Sequence, residues 1–433
     1  MERFIGLLRD QTDQFEITKV EQRLLPMTFA DLTLLEIRAQ DVCEYALRVV
    51  RDGKLGFVCG TGRDPEKLVA DALRAAELGQ KITFDFPSAA SEPVDVYDPV
   101  LDQMEAAELV AEGEAIIEPL RAHADIPVTV TIERAMKHVT VANSTGKIES
   151  YDKTLLRYFL ESKFKGSKLG ITKEINTGKW LPFPREWVAD LIREYRHCET
   201  KVHVPSGQMP VLFLADCTWE LFFRFNSGLN GDAVARGISP LKDRLGERVL
   251  GCNVTIIDDP REPYAQGSAP FDDEGVPTGT QIMFEQGVLR GFLYDLESQA
   301  KAKASRAGNA WKMGLWGRDL TLYPGPHFTN LVMQPGEADL HEMIASMDRG
   351  LVVQDALGFH SGNFLTGEFS MTVGSGFYVE NGKIQGRPMD TMIAGNVYDA
   401  FTNICALSNR RVGNYLGSSP DILFAQLNVA GKG

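Results

Sequence analysis

Cysteine is scarce in this chain, and the few cysteines that occur are far apart. Six cysteines are spread over 433 residues, and no two of them form a C-x-x-C pair. A disulfide framework or a cysteine-rich zinc module is therefore not expected. Free buried thiols are the favoured interpretation in a chain of this size.

Long apolar runs are also missing. The run VLFLA at 211–215 has the length of a strand, whereas a membrane-spanning helix needs about 20 apolar residues. The opening MERFIGLLRDQTDQFEI lacks the basic, then apolar, then small-residue layout of a signal peptide and predicts an amphipathic helix. We therefore expect a cytoplasmic protein without a membrane segment.

Basic charge is in deficit. The chain has 45 Lys and Arg against 59 Asp and Glu, a formal net charge of −14. Broad affinity for nucleic acid or anionic lipid depends on basic surface, so this balance argues against both. The hydrophobic fraction of 44% and the charged fraction of 24% are typical of a soluble globular protein long enough for two domains.

Nucleotide-binding motifs are absent as well. The sequence contains no G-x-x-x-x-G-K-[ST] and no G-x-G-x-x-G that opens a helix. A phosphate cradle of either kind is therefore unsupported. The order of the predicted elements fits neither a Rossmann fold nor a TIM barrel, so neither fold indicates where a site would be.

The first half of the chain alternates helix and strand signals. The clearest helix follows Asp64 as N-cap and Pro65 at its first position, and Gly79 ends it. Further helices are predicted at 104–125 and near 187–197. Strands are predicted on both sides of two turns, at Asp52–Gly53 and at 143–146.

Beyond residue 208 the character changes to short β-rich segments broken by Gly and Pro. Hairpins are predicted at Gln286–Gly287 and Asn381–Gly382, and helices at 339–349, ended by Gly350, and near 396–408. The stretch VHVPSGQMP is the linker candidate. We predict an α+β fold in two domains: residues 1–205 with antiparallel strands and long helices, and residues 206–433 as a β-rich, barrel- or sandwich-like domain.

The segment DLHEMIASM at 339–347 places His341 beside Glu342 on a predicted helix. Zinc peptidases carry two histidines four residues apart on one helix face, with a glutamate between them as general base. Here the residue four after His341 is Ala345. An apolar stripe with helical spacing starts at Leu340 and excludes the His-Glu pair. A solvated face over a buried stripe is the favoured interpretation.

Other groups of candidate ligands are equally incomplete. RHCETKVH brings His197, Cys198 and His203 close in sequence, but four ligands at metal spacing are missing. FDDEGVPTG at 271–279 supplies three hard oxygen ligands without the 12-residue layout of a calcium loop. A structural acidic turn is the favoured interpretation of that segment. Its three carboxylates are Asp272, Asp273 and Glu274.

FHSGNFLTGEFS at 359–370 offers a Ser-His combination, with His360 and Ser370 as its members. A G-x-S-x-G elbow is missing, so nucleophilic catalysis has little support. A loop that enters a strand, held by hydrogen bonds from Asn363 and Ser370, is the favoured interpretation.

Four stretches occur together in one order: VANSTG, FDDEGVPTGTQIMFEQGVLRGFLYD, PHFTNLVMQPGE and LTGEFSMTVGSGFYVENGKIQGRPMDTMIAGN. As a set they resemble the TldD/PmbA family, whose members are also labelled modulators of DNA gyrase and are associated with metallopeptidases. The similarity runs through nearly the whole chain and is densest from 250 to 410. The resemblance implies the two-domain α+β fold predicted above. The acidic charge predicts that any effect on gyrase is indirect.

The catalytic branch of this family resembles a zinc peptidase with H-E-x-x-x-H followed directly by G-L-x-G-D. Here GLNGDAVARGIS at 228–239 is similar to the downstream stretch, so FFRFNS stands where the metal motif is expected. Phe222 and Ser227 occupy the histidine positions, and Phe223 occupies the general-base position. That branch resembles an enzyme whose third ligand is a cysteine near the C-terminus, but no cysteine follows Cys405. The resemblance therefore implies no catalytic residue and no metal ligand in this chain.

This departure resembles the PmbA/TldE branch. It implies a non-catalytic, metal-free subunit of a cytoplasmic TldD-type zinc metallopeptidase that acts on unfolded or modified peptides. Zinc is then expected only in a TldD-like partner. The implied partners are that subunit or a second copy of this chain, and a peptide, with no nucleic acid and no membrane. Exposed strand edges near Asn363, Thr366, Phe369 and Ser370 would suit backbone pairing with an extended peptide.

Two alternatives stay open from the sequence. One is a homodimeric peptide-binding protein or scaffold of the same fold without proteolysis. The other is an independent hydrolase that uses the acidic turn, with Asp272 and Asp273, or His360.

Overall fold

The structure is a computed structural model that describes residues 1–61, 63–314 and 317–431. In its N-terminal part the described residues form seven strands, five α-helices and a 3-10 helix. The strands are β1 (Gln14–Ala30), β2 (Thr33–Ile37), β3 (Gln40–Arg51), β4 (Lys54–Gly60), β5 (Val128–Asn143), β6 (Ile148–Lys163) and β7 (Gly170–Thr177). The helices are α1 (Glu2–Leu8), α2 (Pro65–Leu78), α3 (Pro99–Gln103), α4 (Ala106–Ile117) and α5 (Arg185–Glu199), with the 3-10 helix at Glu118–His123.

These seven strands form one antiparallel sheet in the order β4-β3-β1-β5-β6-β7, with β2 paired to the end of β1. Because side chains alternate along a strand, the sheet has two distinct faces. One face is apolar and packs against the helices; Ile17, Leu47 and Val69 of α2 belong to its core. The other face carries charged and polar side chains such as Gln22 and Lys137 and lies towards the C-terminal part of the chain.

The C-terminal part is rich in strands. Its helices are α6 (Trp219–Leu229), α7 (Gly231–Ala235), α8 (Leu296–Ala302), α9 (Leu340–Ala345) and α10 (Val397–Thr402), with a 3-10 turn at Ala215–Cys217. Its longer strands are β9 (Gly207–Phe213), β11 (Gln281–Glu285), β18 (Arg349–Leu357), β19 (Glu368–Glu380), β20 (Lys383–Met389), β21 (Met392–Asn396) and β25 (Ile422–Ala430). The shorter strands are β8 (Lys201–His203), β10 (Ile256–Asp258), β12 (Val288–Leu289), β13 (Ala310–Trp311), β14 (Met313–Gly314), β15 (Gly317–Arg318), β16 (Gly325–Pro326), β17 (Leu331–Met333), β22 (Ile404–Leu407), β23 (Val412–Asn414) and β24 (Gly417–Ser419).

Five of these strands close into a barrel. The pairing runs β18-β9-β25-β21-β19, and β19 returns to pair with β18. Alternate side chains on β9 belong to two cores. Val211 and Phe213 share a core with α6, whereas Leu212 belongs to a core that includes Val188 of α5. The barrel therefore shares one apolar core with the helix it supports and another with the N-terminal part. The mixed α+β architecture with a strand-rich C-terminal region is the predicted fold class, and it is confirmed.

The turn predictions are confirmed by backbone geometry. Asp52–Gly53, Gln286–Gly287 and Asn381–Gly382 all have positive φ at both residues, and each joins two paired strands. Residues 143–146 connect β5 to β6. The helix after Asp64 begins and ends where the sequence indicated, with the Asp64 side chain accepting from Lys67 N and Gly79 at the C-cap.

Other predicted boundaries are wrong. The helix expected at 339–349 ends at Ala345, and Gly350 lies in β18, where a Cβ would come within 2.7 Å of Pro210 O. The glycine is required for close approach of β9 and not for a helix C-cap. The helix expected near 396–408 gives way to β22 after Thr402, because β22 pairs with β25.

The opening helix and the linker also differ from the prediction. The opening helix ends at Leu8, and β1 starts at Gln14. The linker candidate forms β8 and the start of β9. The proposed division at 205/206 stays a prediction, and residues 432–433 of the second domain lie outside the described residues. None of the helices in the described parts of the chain has the length and apolarity that a membrane span needs.

Candidate functional site

Helix α6 carries the three positions at which the family resemblance places a metal motif. Phe222 is fully buried, and its ring lies 5.9 Å from that of Phe401 and 6.2 Å from that of Phe225. The apolar side chains of α6 recur with helical spacing on one face, and Phe222 on that face points into the barrel core. A residue at this position is part of the packing and not of a cleft.

Phe223 lies on a less buried side of α6. Its ring contacts Phe359 at 5.8 Å and Phe364 at 5.2 Å between centroids, both close to edge-to-face. Trp219, one turn earlier, packs against Phe359 and Tyr415 at 4.8 and 5.0 Å. The general-base position of the family motif is thus occupied by part of an aromatic cluster.

Arg224 ties α6 to the segment predicted to bind peptide. Its Nε donates to Glu368 O at 2.7 Å, and its Nη2 donates to Ser361 O at 2.8 Å. The guanidinium also lies over the rings of Phe364 and Phe369. Burial lowers the pKa of Arg224 to about 10. The arrangement fixes the turn after β18 against the helix.

These residues do not fit a zinc ion. Phe222 and Phe223 have no lone pair to donate, and zinc sites are built from nitrogen, sulfur and carboxylate oxygen. The described region after Cys405 contains no cysteine. Across residues 1–61, 63–314 and 317–431, no group of three or more His, Cys, Asp or Glu side chains is arranged to hold a metal ion. The side chains of α6 therefore support a role in packing and not in metal binding.

The candidate peptide-binding residues lie on a turn and on the first residues of β19. Asn363 is exposed, and its Oδ1 accepts from Leu365 N at 3.1 Å, which shapes the turn. Thr366 is exposed beside it. Phe369 is only 3% exposed and belongs to the core, so its side chain is not available to a ligand. Ser370 is half-buried and pairs with Ala394 of β21.

The acidic turn has a structural explanation. Asp272 is buried and accepts backbone hydrogen bonds from Ala310, Glu274 and Val276 at 2.9–3.0 Å. Asp273 accepts from Lys312 N at 2.7 Å. Both carboxylates therefore have a structural role, which is the interpretation that the sequence favoured.

The histidines that the sequence offered as candidate site residues lie mostly at the surface and far from the acidic turn in sequence. His360 is exposed in the loop after β18, with its ring against Phe359. His341 and Glu342 are exposed at the start of α9, where their backbone N–H groups donate to the Asp339 cap.

In the RHCETKVH segment, His197 packs edge-on against Phe377. The other two residues of that segment differ in exposure, with Cys198 buried and His203 exposed on β8. Contrary to the prediction of buried thiols, Cys43, Cys252 and Cys405 are exposed.

One feature was missed by sequence reasoning. A cavity of about 690 Å³ lies between the polar face of the N-terminal sheet and the C-terminal part, and both Lys137 and Lys153 line it. The signal was present: a hairpin that turns at 143–146 pairs residue 137 with residue 153. The opposite wall comes from residues more than 100 positions later, which no local pattern reveals.

Comparisons with known proteins agree with this architecture. Residues 206–431 match the family model described as the PmbA/TldA metallopeptidase C-terminal domain. A metalloprotease PmbA homolog of Haemophilus influenzae is 28% identical over 305 residues, 67% of this chain and 62% of that protein. An uncharacterised protein of Methanocaldococcus jannaschii is 24% identical over 87% of both chains.

Two solved structures superpose on nearly the entire chain. A proposed modulator of a DNA gyrase from Thermotoga maritima shares 26% identity with a TM-score of 0.85, covering 99% of both chains. TldE from Thermococcus kodakarensis shares 21% identity with a TM-score of 0.88 over 100% of both chains, which shows the common fold. The chain belongs to the PmbA/TldD metallopeptidase family.

Proposed function

We propose that this protein is a metal-free, non-catalytic subunit of a TldD-type zinc metallopeptidase that acts on unfolded or modified peptides. The observation that carries the proposal is the packing of α6. Phe222 and Phe223 occupy the positions of a zinc ligand and a general base, and both lie in aromatic clusters. Neither side chain can bind a metal or accept a proton.

The residues at the metal-motif positions are part of the packing of the fold, and more than one of them departs from the motif. A histidine in place of Phe222 would put a polar ring into a fully buried apolar site, where an unpaired polar group is costly. Ser227, at the second histidine position, supplies only a hydroxyl. The packing therefore supports a subunit whose contribution is structural or concerns binding.

Helix α6 and its neighbours are suited to positioning a peptide. Arg224 fastens the turn 361–367 to α6 through Ser361 O and Glu368 O, so the exposed Asn363 and Thr366 stand on a rigid support. An extended peptide held against such a support loses translational and rotational freedom before the reaction. The chemistry would then be carried out by the zinc of the partner subunit.

The proposed partner is a TldD-like chain in the cytoplasm, and the choice is based on the family, which includes relatives named PmbA and relatives named TldD. The test uses this chain alone, a TldD-like chain alone and the two mixed. Alone, this chain should contain under about a tenth of an equivalent of zinc by elemental analysis, since a zinc site needs at least three protein ligands. This chain alone should hydrolyse no unfolded peptide, and the mixture should hydrolyse it faster than either chain alone.

Three results would contradict this proposal. Near-stoichiometric zinc in the pure chain would indicate a site elsewhere. Peptide binding by a homodimer that neither pairs with a TldD-like chain nor promotes turnover would favour a peptide-binding scaffold. Turnover by the pure chain that is lost on His360→Ala or Asp273→Asn would favour an independent hydrolase.

A further inference from the structure

The cavity beside the N-terminal sheet contains an unusual arrangement of lysines. Gln22 of β1, Lys137 of β5 and Lys153 of β6 lie directly opposite one another on adjacent strands. Opposite residues share a face, and all three side chains line the cavity. Two like charges in that relationship destabilise a sheet, so the pair requires an explanation beyond the fold.

The two lysines differ in their partners. Lys153 is 5% exposed, and its Nζ donates to Gln266 O at 2.7 Å and to Ser268 O at 2.6 Å. Lys137 Nζ forms no hydrogen bond or ion pair with any residue in the described ranges. One ammonium group at this wall of the cavity is therefore anchored, and its neighbour is available to a ligand.

Further cations come from the opposite wall. Arg318 of β15 lies over the Trp311 ring at 3.9 Å, and its Nη2 donates to Gly267 O at 3.1 Å. Lys312 is 2% exposed and has only long contacts from Nζ, at 3.4 Å to Thr18 Oγ1 and Asp273 O. Burial and then the Arg318 charge lower the pKa of both Lys137 and Lys153. The cations repel one another across the cavity.

The charge of the lining is a local exception in an acidic protein. Five cationic side chains face the cavity, Lys137, Lys153, Lys312, Arg318 and Arg411, against four acidic ones, Glu44, Glu262, Asp273 and Asp319. The net formal charge is therefore +1, although the whole chain carries −14. A single negative charge would balance the cavity, which favours a monoanion such as a carboxylate over a doubly charged phosphate.

The rest of the lining suits the body of a small organic molecule. Leu155, Tyr264 and Tyr415 contribute apolar surface, and Ser418 has a buried Oγ without a hydrogen-bond partner in the described part of the chain. A volume of about 690 Å³ lies within the range of roughly 300–1,000 Å³ typical of small-molecule sites. Apolar walls with a few convergent polar groups are the usual composition of such sites.

We propose that this cavity binds a small organic carboxylate, with the carboxylate group held between Lys137, Lys153 and Arg318. The proposal is independent of the role as a peptidase subunit, since it concerns a different set of side chains. The shared chemistry is an oxyanion, and a phosphate ester is the other possible source of it. The charge balance selects the carboxylate.

Calorimetric titration of the full chain tests this assignment. The probe is N-acetyltriglycine, a monoanion, and its control is N-acetyltriglycinamide, which has the same body without the charge. The amide should bind at least about tenfold more weakly, because hydrogen bonds to a charged group are the stronger kind. Inorganic phosphate, as a separate probe, should bind more weakly than N-acetyltriglycine.

Variants locate the binding. Lys137→Met should weaken N-acetyltriglycine binding by at least about tenfold without lowering the melting temperature, since it removes one member of a repelling pair. Lys163→Met, at an exposed position on the same β6 strand as Lys153, is the matched control and should bind like wild type. Arg318 is exposed, so Arg318→Gln provides the same binding test should Lys137→Met fail to fold.

Four results would overturn the proposal. They are equal binding of the acid and the amide, no heat of binding for N-acetyltriglycine at millimolar concentration, unchanged affinity in both folded cavity variants, and tighter binding of inorganic phosphate than of N-acetyltriglycine. The last result would assign the cavity to the phosphate class. None of these readouts involves peptide turnover or zinc. A failure of the carboxylate assignment is therefore distinguishable from a failure of the proposed function.

Discussion

Glu16 and Arg48 lie directly opposite each other on β1 and β3 and form a bidentate ion pair from which solvent is excluded. Arg48 Nη2 donates to Glu16 Oε2 at 2.7 Å, and Arg48 Nε donates to Oε1 at 3.1 Å. The remaining Nη1 donates to Glu274 of the acidic turn. A single buried guanidinium thus joins the N-terminal sheet to the C-terminal part of the chain.

Arg48→Met should destabilise the protein by about 3–5 kcal/mol, because it leaves two buried carboxylates without their partner. Urea denaturation followed by far-UV circular dichroism measures the change. Arg38→Met is the matched control: its ion pair with Glu36 is exposed, so its loss should cost at most about 1 kcal/mol. Equal losses in the two variants would show that Arg48 does not link the two parts of the chain.

The aromatic packing on α6 predicts unequal effects at neighbouring positions. Phe222→Ala should lower the free energy of unfolding by about 3–5 kcal/mol, as expected for a fully buried ring. Phe223→Ala should cost less, since Phe223 is only partly buried. The comparison uses the same denaturation assay. A larger loss at Phe223 would mean that this ring, and not Phe222, holds the helix in the barrel.

The turn beside Arg224 predicts a functional variant with an intact fold. Asn363→Ala removes the side-chain acceptor for Leu365 N and should loosen the turn. Peptide turnover by the mixture with a TldD-like chain should fall severalfold, while the melting temperature stays within a few degrees, as surface changes rarely exceed about 0.5 kcal/mol. Asn428→Ala, at another exposed position, is the control. Unchanged turnover in Asn363→Ala would remove this turn from the candidate site.

The features that the sequence predicts well are those decided by neighbouring residues. Asn381–Gly382 adopts the positive φ values of a tight hairpin because glycine tolerates them and asparagine is less strained there than most residues. The α2 helix has an aspartate cap and a proline at its first position, both of which act within one turn. Such signals need no knowledge of the rest of the fold.

The features that the sequence predicts poorly depend on distant partners. The residues after Ala345 have helical spacing, yet Arg349 pairs with Glu380 on β19, and strand pairing overrides local propensity. The cavity also depends on residues that are far apart in the sequence. Lys137 and Lys153 lie on one hairpin, but the carbonyl oxygens that hold Lys153 belong to Gln266 and Ser268, over 110 positions away. Only the tertiary structure shows that these lysines face a cavity.

The last prediction concerns pH and a carboxyl group on α6. Glu220 is 1% exposed; its Oε1 accepts from Ala356 N at 3.1 Å, and its Oε2 has no partner among the described residues. Burial, and then the nearby Asp355 charge on β18, raise the pKa of Glu220 well above 4.5, against the opposing effect of Arg224. The folded state therefore keeps a proton that the unfolded chain releases.

Stability should consequently fall as pH rises from 4.5 through the raised pKa of Glu220, because the unfolded state binds fewer protons in that window. Glu220→Gln keeps the size of the side chain and cannot titrate, so it should flatten this slope and stabilise the protein at neutral pH relative to wild type. Urea denaturation at several pH values between about 5 and 8 measures the slope. Glu337→Gln, at an exposed position, should leave it unchanged. A slope as steep in Glu220→Gln as in wild type would assign the pH dependence to other buried carboxyls.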